Sequence, residues 1–479
     1  EQGSYGGCLA SERIICMEYY AKSKKVQFTS ERINEIKKNL KNIEECLKEN
    51  LTETDVEILN SSITDIAEKT EEKQKTLKEH HKDIVTCAEM FFLEYGEYFT
   101  EKEKKLVVEA CRIHDLGKVN LVFQAMICPE LAEKFHIDVR KTPQIPHGFL
   151  SAVTISLDEF DDLSELFSDK DFGPFITAVY YHHDREDHYN SLAIRKYAEK
   201  YYMKQIEEYL NRKIRKLNCS NLDDLLFRNN VYTGKYIPDS NAWKEYLLIK
   251  GLLNKFDYTV SAGYENAESA VDLHEKKLVK NIEKFLNGKE LRPAQKFMKM
   301  NRDKNLIVIA PTGSGKTEAS LLWMNGEKSF YTLPLKVSSN AIYLRIKENY
   351  EYKDVALLHS DAMAVYLREY NGNEDIGEKY ERSKMLSQPL TVCTVDQLFR
   401  FVYRALGTEI FAATLKYSKL VLDEIQAYEP RVIATIIYGL KMIQEMGGKF
   451  AIITATFPPV LKYFMEQYGL FEGKQYIFK

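Results

Sequence analysis

The chain has 479 residues, 44% of them hydrophobic, and a formal net charge of −4. Such a length supports two or three domains with cores of their own, and the near balance of charge excludes a whole-molecule positive field, leaving only a local patch for any nucleic acid. The 8 cysteines form no CxxC pair, which excludes a zinc-ribbon or disulfide framework and fits reduced thiols; without a leader or a spanning apolar run, a soluble cytoplasmic protein with no membrane partner is expected.

From about Arg32 to Lys78 the residues Ile33, Ile36, Leu40, Ile43 and Leu47 recur every three or four positions, which predicts a solvated amphipathic helical hairpin without chemistry. Residues 76 to 275 read as almost wholly helical. Ile84, Ala88, Phe91, Phe92 and Tyr95 form one apolar face, and Leu106, Val107, Ala110 and Ile113 form the next, which runs into His114 and Asp115. Gly117 is placed to end or bend that helix. Histidines crowd this half: His80, His81, His114, His136, His147, His182, His183 and His188 all precede residue 190, leaving His274 and His359. His147, the doublet His182-His183 and Asp257 lie at or near the edges of apolar helical runs, where a polar side chain is costly unless paired or liganded. His136 and His188 read as surface residues.

A histidine followed directly by an aspartate sets an imidazole beside a carboxylate, a pair able to share divalent metals. With two oxygens, Asp115 is the natural bridge of a binuclear centre, and the mixed nitrogen and oxygen donors suit Mn, Fe, Co or Ni better than Mg. Two cations would neutralise a phosphodiester and activate a water for its cleavage.

Beyond Lys284 short apolar runs alternate with helical ones: Leu306-Ile309, Ser329-Leu333, Val355-Leu358, Leu390-Val395, Leu420-Leu422 and Phe450-Ile453. That alternation predicts a parallel sheet covered on both faces. After the first run comes Ala310-Pro311-Thr312-Gly313-Ser314-Gly315-Lys316-Thr317, with Ala310 where a P-loop has its first glycine. The backbone N–H groups of Thr312, Gly313, Ser314 and Gly315 can cradle phosphates, Lys316 can reach the β and γ groups, and Thr317 can ligate Mg²⁺. Another run delivers Asp423-Glu424, assigned to Mg²⁺ and to the attacking water respectively.

The order Leu77-x-x-His80, His114-Asp115-x-Gly117-Lys118, His147-x-x-Leu150-Ser151-Ala152, His182-His183 and Asp257-x-x-x-Ser261 resembles the HD nuclease domain of the type I CRISPR-associated helicase-nucleases. The resemblance implies that His80, His114, Asp115 and Asp257 hold one metal and Asp115, His147, His182 and His183 the other, with Asp115 and Lys118 as catalytic residues. His81 is the alternative to His80; the leucine three residues before His80 and Ala88 eight residues after it favour His80. Ala21-Lys22-Ser23 resembles that family's opening, which implies a helical insertion over 24–75 within an all-helical domain spanning 1–285.

Residues 286–479 resemble the first RecA-like lobe of superfamily 2 helicases, with Gln295 as the adenine-reading residue, Glu424 as the catalytic carboxylate and Thr454-Ala455-Thr456 as the segment coupling nucleotide to strand movement. Leu333 to Tyr343 and Thr394 to Leu398 resemble the segments that contact single strands, while Gln426 stands where many relatives have His. The chain ends soon after Thr456, so the second lobe with its arginine finger is expected to lie outside it or on a separate chain. The resemblance implies a metal-dependent nuclease on single-stranded DNA, an ATP- and Mg-dependent 3′-to-5′ motor that is incomplete here, and recruitment by an RNA-guided CRISPR surveillance complex. Two rival expectations are an HD nucleotide phosphohydrolase with a regulatory P-loop lobe, and a split protein that binds nucleic acid and a partner without turnover.

Overall fold

The computed structural model describes residues 18–22, 38, 75–155, 172–183, 191–214, 217, 241–269, 276–369, 376–470 and 476–478. Nearly all of the 24–75 insertion, with its amphipathic pattern, and His188 and His274 lie outside the described residues. Ala21 and Lys75, which bracket that insertion, lie side by side: the Ala21 N–H donates to the Lys75 carbonyl at 3.0 Å, and Tyr20 pairs antiparallel with Thr76.

The helical part is built around α1 (Leu77–Tyr95), α2 (Glu101–Ile113), α3 (His147–Thr154), α4 (Phe172–Tyr180) and α5 (Asn241–Ser261). Both α1 and α2 start on a capping box. Thr76 accepts from the Glu79 N–H at 3.2 Å while Glu79 accepts from the Thr76 N–H at 2.9 Å, and Thr100 with Glu103 repeats the device at 3.2 and 2.8 Å. Each cap contributes about 1 kcal/mol and fixes where its helix begins. The start of α1 therefore determines which of two adjacent histidines faces inward. Helix α4 is buried along its whole length, and α5 from Trp243 to Val260 is buried at all but a few positions, so these two form the centre around which the others pack.

Beyond them, α6 (Lys277–Leu286) and α7 (Pro293–Met300) lead into a sheet of seven strands: β1 (Leu306–Ile309), β2 (Ser329–Leu333), β3 (Val355–Leu358), β4 (Leu390–Thr394), β5 (Lys419–Asp423), β6 (Lys449–Thr454) and β7 (Tyr476–Phe478). Their order is β3-β4-β2-β5-β6-β1-β7 and every pairing is parallel. The first six follow the apolar runs of the sequence; β7 was not expected, because three residues carry no readable period. Helices α8 (Lys316–Met324), α9 (Lys336–Glu348), α10 (Glu409–Lys416) and α11 (Pro430–Met446) belong to this lobe.

Alternate residues of β1, β2, β5 and β6 feed two cores, as a period of two requires. Leu306, Val308, Tyr331, Val421 and Ile453 join one core with α6 and α8, whereas Ile307, Phe330, Leu420, Leu422 and Ile452 join a second that continues into the helical domain. Helix α6 thus packs with the sheet through Leu278, Val279 and Ile282.

The joint between the parts is made chiefly by α5 on α10. A Cβ on Gly251 would stand 2.4 Å from the Glu409 carbonyl oxygen, so only glycine permits this approach. Beside it Lys250 Nζ meets Glu409 Oε2 at 2.9 Å, and Tyr246 donates to Glu409 Oε1 at 2.7 Å. A few residues on, Lys255 meets Glu268 at 2.8 Å, and Glu268 also receives Lys328, at the start of β2, and the Tyr417 hydroxyl at 2.6 Å. Lys250 and Lys255 are fully buried, so their charges are tolerable only with these partners in place.

Candidate metal centre and nucleotide cleft

Five segments bring the histidine set together. His80 sits in the first turns of α1, His114 caps the C-terminus of α2, and Asp115 opens the short turn Leu116–Val119. His147 begins α3, and His182 and His183 follow α4 directly. Asp257 lies inside α5, four residues before its end, with Ser261 donating to its Oδ1 at 3.1 Å. The turn carrying Asp115 presses on α3 so closely that a Cβ on Gly117 would stand 2.0 Å from the His147 carbonyl oxygen. Ser151 locks this contact, accepting from the Gly117 N–H at 2.8 Å and donating to the His147 carbonyl at 2.9 Å. Sequence reading had only placed Ser151 in a motif; the fold gives it the task of holding His147 against Asp115.

The donors fall into two groups, Asp115 with His147, His182 and His183, and His80 with His114 and Asp257. Asp115 faces both. Its Oδ1 lies 3.1 Å from His147 Nε2 and 3.5 Å from His182 Nε2, while its Oδ2 lies 3.4 Å from both His80 Nε2 and His114 Nε2. His80 Nε2 also approaches Asp257 Oδ1 at 3.2 Å. His81 points elsewhere, accepting or donating at Nδ1 with the Tyr209 hydroxyl at 3.2 Å.

Despite this proximity, the Nε2 atoms of His80, His114, His147, His182 and His183 and Oδ1 of Asp115 are buried without an aligned hydrogen bond. Buried polar atoms are seldom left so, and six in one place fit a pair of divalent cations. The opposite ring nitrogens of two histidines are engaged as metal ligands require: His114 Nδ1 lies 3.0 Å from the Cys111 carbonyl and His182 Nδ1 lies 2.6 Å from the Val179 carbonyl, which directs each Nε2 to the centre.

Protonation states agree with that use. Burial pushes His114 down to about 4 and His147 down to about 3, and lowers His183 as well, so these rings are neutral donors. For Asp115, burial opposes ionisation but is outweighed by the Lys118 and His114 charges and the close approach of the His147 and His182 rings, which hold it well below the usual carboxylate range. Burial likewise opposes ionisation of Asp257 and is outweighed by the close approach of His80, so its pKa is lowered. His80 goes the other way: burial pulls it down, yet Asp115 and Asp257 together raise it, so proton and cation compete for its Nε2. Lys118 Nζ, buried, sits 2.6 Å from Asp115 Oδ2 and balances the charge of the shared carboxylate.

In the sheet lobe, β6 lies between β1 and β5, so the P-loop, Asp423-Glu424 and Thr454-Ala455-Thr456 emerge from adjacent strands at the same edge. Thr312 and Gly313 are exposed, Ser314, Gly315 and Lys316 half-buried, and Thr317 is buried. Lys316 pairs with Glu424, and Arg292 donates to the Gly313 carbonyl. Gln295 is buried beside the loop with its Nε2 3.4 Å from the Gly315 carbonyl. Glu424 has φ 54°, a left-handed backbone that a non-glycine residue adopts at a cost. It is held there by Gln426 at 2.5 Å, Thr454 Oγ1 at 3.3 Å and the Ala455 N–H at 3.3 Å. Gln426 thus ties Glu424 to the segment after β6.

Asp423 is pushed up to about 6 by burial, against a hydrogen bond from Tyr331 and the charge of Lys316. The buried Tyr331 hydroxyl donates to Asp423 Oδ2 at 2.7 Å, while Oδ1 and the Ser314 hydroxyl are buried without partners. A tethered carboxylate with one free oxygen and an unpaired hydroxyl in the P-loop fit a Mg²⁺-nucleotide. Tyr331 escaped sequence reading because an apolar strand tyrosine carries no chemical signal.

Fold and site together define a helical HD-type metal centre joined to a P-loop motor lobe with parallel strands. Residues 67–238 match the family profile described as Cas3, HD domain, and residues 293–464 that of the DEAD/DEAH box helicases. Both halves of the chain thus resemble those of Cas3 nuclease/helicases, an HD domain followed by a DEAD/DEAH helicase domain. It is 25% identical over 464 residues to the CRISPR-associated nuclease/helicase Cas3 of Methanothermobacter thermautotrophicus, covering 84% of this chain and 54% of that one. It is also 25% identical over 190 residues to the CRISPR-associated endonuclease/helicase Cas3 of Escherichia coli, covering 34% and 21%. Among solved structures, that of T. fusca Cas3 superposes with a TM-score of 0.53 at 17% identity over 84% of this chain and 50% of that one, and its AMPPNP form at 0.52 and 18% over 83% and 50%. The chain thus spans about half the length of the first of these relatives. No helix among the described residues is long and apolar enough to cross a membrane.

Proposed function

We propose that this chain carries a metal-dependent nuclease acting on single-stranded DNA, joined to the ATP-binding lobe of a 3′-to-5′ translocase that serves type I CRISPR interference with an RNA-guided surveillance complex. The observation that carries the reading is the position of Asp115, whose two oxygens face two sets of orphaned histidine nitrogens. Two divalent cations held there would offset the negative charge of a phosphodiester and activate a water against it. His147, His182 and His183 would hold one with Asp115; His80, His114 and Asp257 would hold the other.

The chain's own residues prepare this. Lys118 keeps Asp115 ionised and leaves a positive charge beside the place where the scissile phosphate arrives. Ser151 and Gly117 fix His147, and the buried walls exclude bulk water from the inner donors. In the lobe, Lys316, Thr312 to Gly315 and Thr317 would receive the phosphates, Asp423 the magnesium, Gln295 the adenine, and Glu424 would orient the attacking water once ATP displaces it from Lys316. The domain division expected near residue 285 and the insertion over 24–75 belong to this same reading.

The test is cleavage of labelled single-stranded DNA by the purified chain with Mn²⁺, Co²⁺ or Ni²⁺, with and without ATP. Metal-supported cleavage that vanishes in Asp115→Ala is expected; cleavage persisting in that variant would overturn the assigned centre. Phosphate release from free nucleotides with DNA left intact would favour a nucleotide phosphohydrolase instead.

A further inference from the structure

The two donor sets differ in access. His80, His114 and Asp257 are all buried, whereas His147, 14% exposed, and His183 are only partly buried and line a cleft of about 420 Å³. A substrate therefore meets the centre from the His147 side. The cleft has an unusual wall for a site that handles a polyanion: apart from these two histidines, the described residues that line it carry aromatic, aliphatic, thioether and amide side chains, and among the described residues no Lys, Arg, Asp or Glu contributes. Of its two amides, Asn120 is fully committed, since its Nδ2 donates to the Gly117 carbonyl at 2.6 Å and its Oδ1 accepts from the Phe123 N–H at 2.9 Å and the Tyr197 hydroxyl at 2.9 Å, while Gln144 Nε2 donates to the Met126 sulfur at 3.4 Å. Phe123 is half-buried, its ring 5.5 Å from that of His147 in an edge-on arrangement.

A neutral wall does not hold a phosphate. It suits the uncharged part of a nucleotide, and an aromatic ring next to a neutral cavity binds any base through its π-face without reading sequence. The volume falls in the range of small-molecule sites, roughly 300–1,000 Å³, and is ample for a base with its sugar. We infer that this cleft seats the nucleobase adjoining the scissile phosphate of the DNA strand, stacked on Phe123. This rests on the nuclease reading for the identity of the strand.

The test measures binding and cleavage separately. Fluorescence anisotropy with a single-stranded oligonucleotide, in Mn²⁺ or Ni²⁺, gives Kd for wild type, Phe123→Ala and Phe123→Trp, each with an intact strand and with strands carrying one abasic position. Loss of one stacked base weakens binding on the order of tenfold. Expected is about that loss in Phe123→Ala on the intact strand, the same loss in wild type at one abasic position, and no further loss when the two are combined; Phe123→Trp keeps the wild-type Kd. In cleavage, the same changes should raise KM far more than they lower kcat.

Additive losses, or an unchanged Kd in Phe123→Ala, would overturn the stacking role. So would loss of bound metal from Phe123→Ala, which would make the ring a prop for His147. Free mononucleotides binding as tightly as the strand would assign the cleft to a free nucleotide and overturn the strand as its occupant. If wild type binds with the expected abasic coupling yet never cleaves, the cleft stands and the nuclease reading falls.

Discussion

Asp115 shows how one side chain can set the character of a site. Its carboxylate is shared between two donor sets, so Asp115→Ala should strip both cations rather than one. Removing even an outer-shell partner of a metal ligand costs roughly 10–100-fold, and the shared ligand should cost more; metal content per chain and the rate of strand cleavage are the measurements. The neighbouring histidines give a sharper comparison. His80→Ala should lower metal content while His81→Ala leaves it intact, because only His80 faces Asp115 and Asp257. In the other cleft, Tyr331→Phe removes the hydroxyl that tethers Asp423. Nucleotide binding should then need several-fold more Mg²⁺, about a 1 kcal/mol effect for one lost hydrogen bond, whereas binding measured in EDTA stays as in wild type.

At the scale of elements, α5 joins the two parts by burying Lys250 against Glu409 of α10. Lys250→Met leaves a carboxylate buried without its partner and should destabilise the chain by about 3–5 kcal/mol. Lys250→Met with Glu409→Leu removes both charges and should recover most of that loss, read as the midpoint of denaturant unfolding. Acid adds a signed test. Burial alone would raise the Glu409 carboxyl from its ordinary value of 4.5, but Lys250 and Tyr246 outweigh it and its pKa is lowered. A lowered carboxylate stabilises fully above its unfolded value and loses that contribution as pH falls through the folded one. Stability of the wild type should therefore drop below about pH 4.5 more steeply than that of Lys250→Met/Glu409→Leu, measured by thermal unfolding across pH.

For the whole molecule, the candidate metal centre gathers residues from α1, the end of α2, α3, α5 and the turn after α4, so cations bound there would cross-link most of the helical part. Ligands that bind only the folded chain stabilise it by mass action, about 2.7 kcal/mol at a hundredfold excess over Kd. Saturating Mn²⁺ or Ni²⁺ should raise the melting temperature of wild type, chelation should reverse it, and Asp115→Ala should not respond. Because one core runs from these helices onto the sheet, the shift should appear in a single transition; two separate transitions would show that the joint does not couple the parts.

What the sequence determined by itself lay in local pattern. Helical periodicity ran into His114-Asp115, six apolar runs became six parallel strands, and glycine-rich loop chemistry stood between a strand and a helix. These are decided by neighbours in the chain, through period, caps and turn residues, and so they can be read there. The tertiary structure alone decided how Asp115 divides its oxygens and that Asp257 lies within α5; that His80 rather than His81 faces them was already favoured by Leu77 and Ala88 in the sequence. It also brought in Ser151, Tyr331 and Phe123, whose roles come from partners 34 to 92 residues away in the chain or from a ring across the cleft. Nothing local marks them: a buried serine, a strand tyrosine and a helical phenylalanine look like packing until long-range contacts, fixed by one glycine against a carbonyl and one helix against another, give each something to hold.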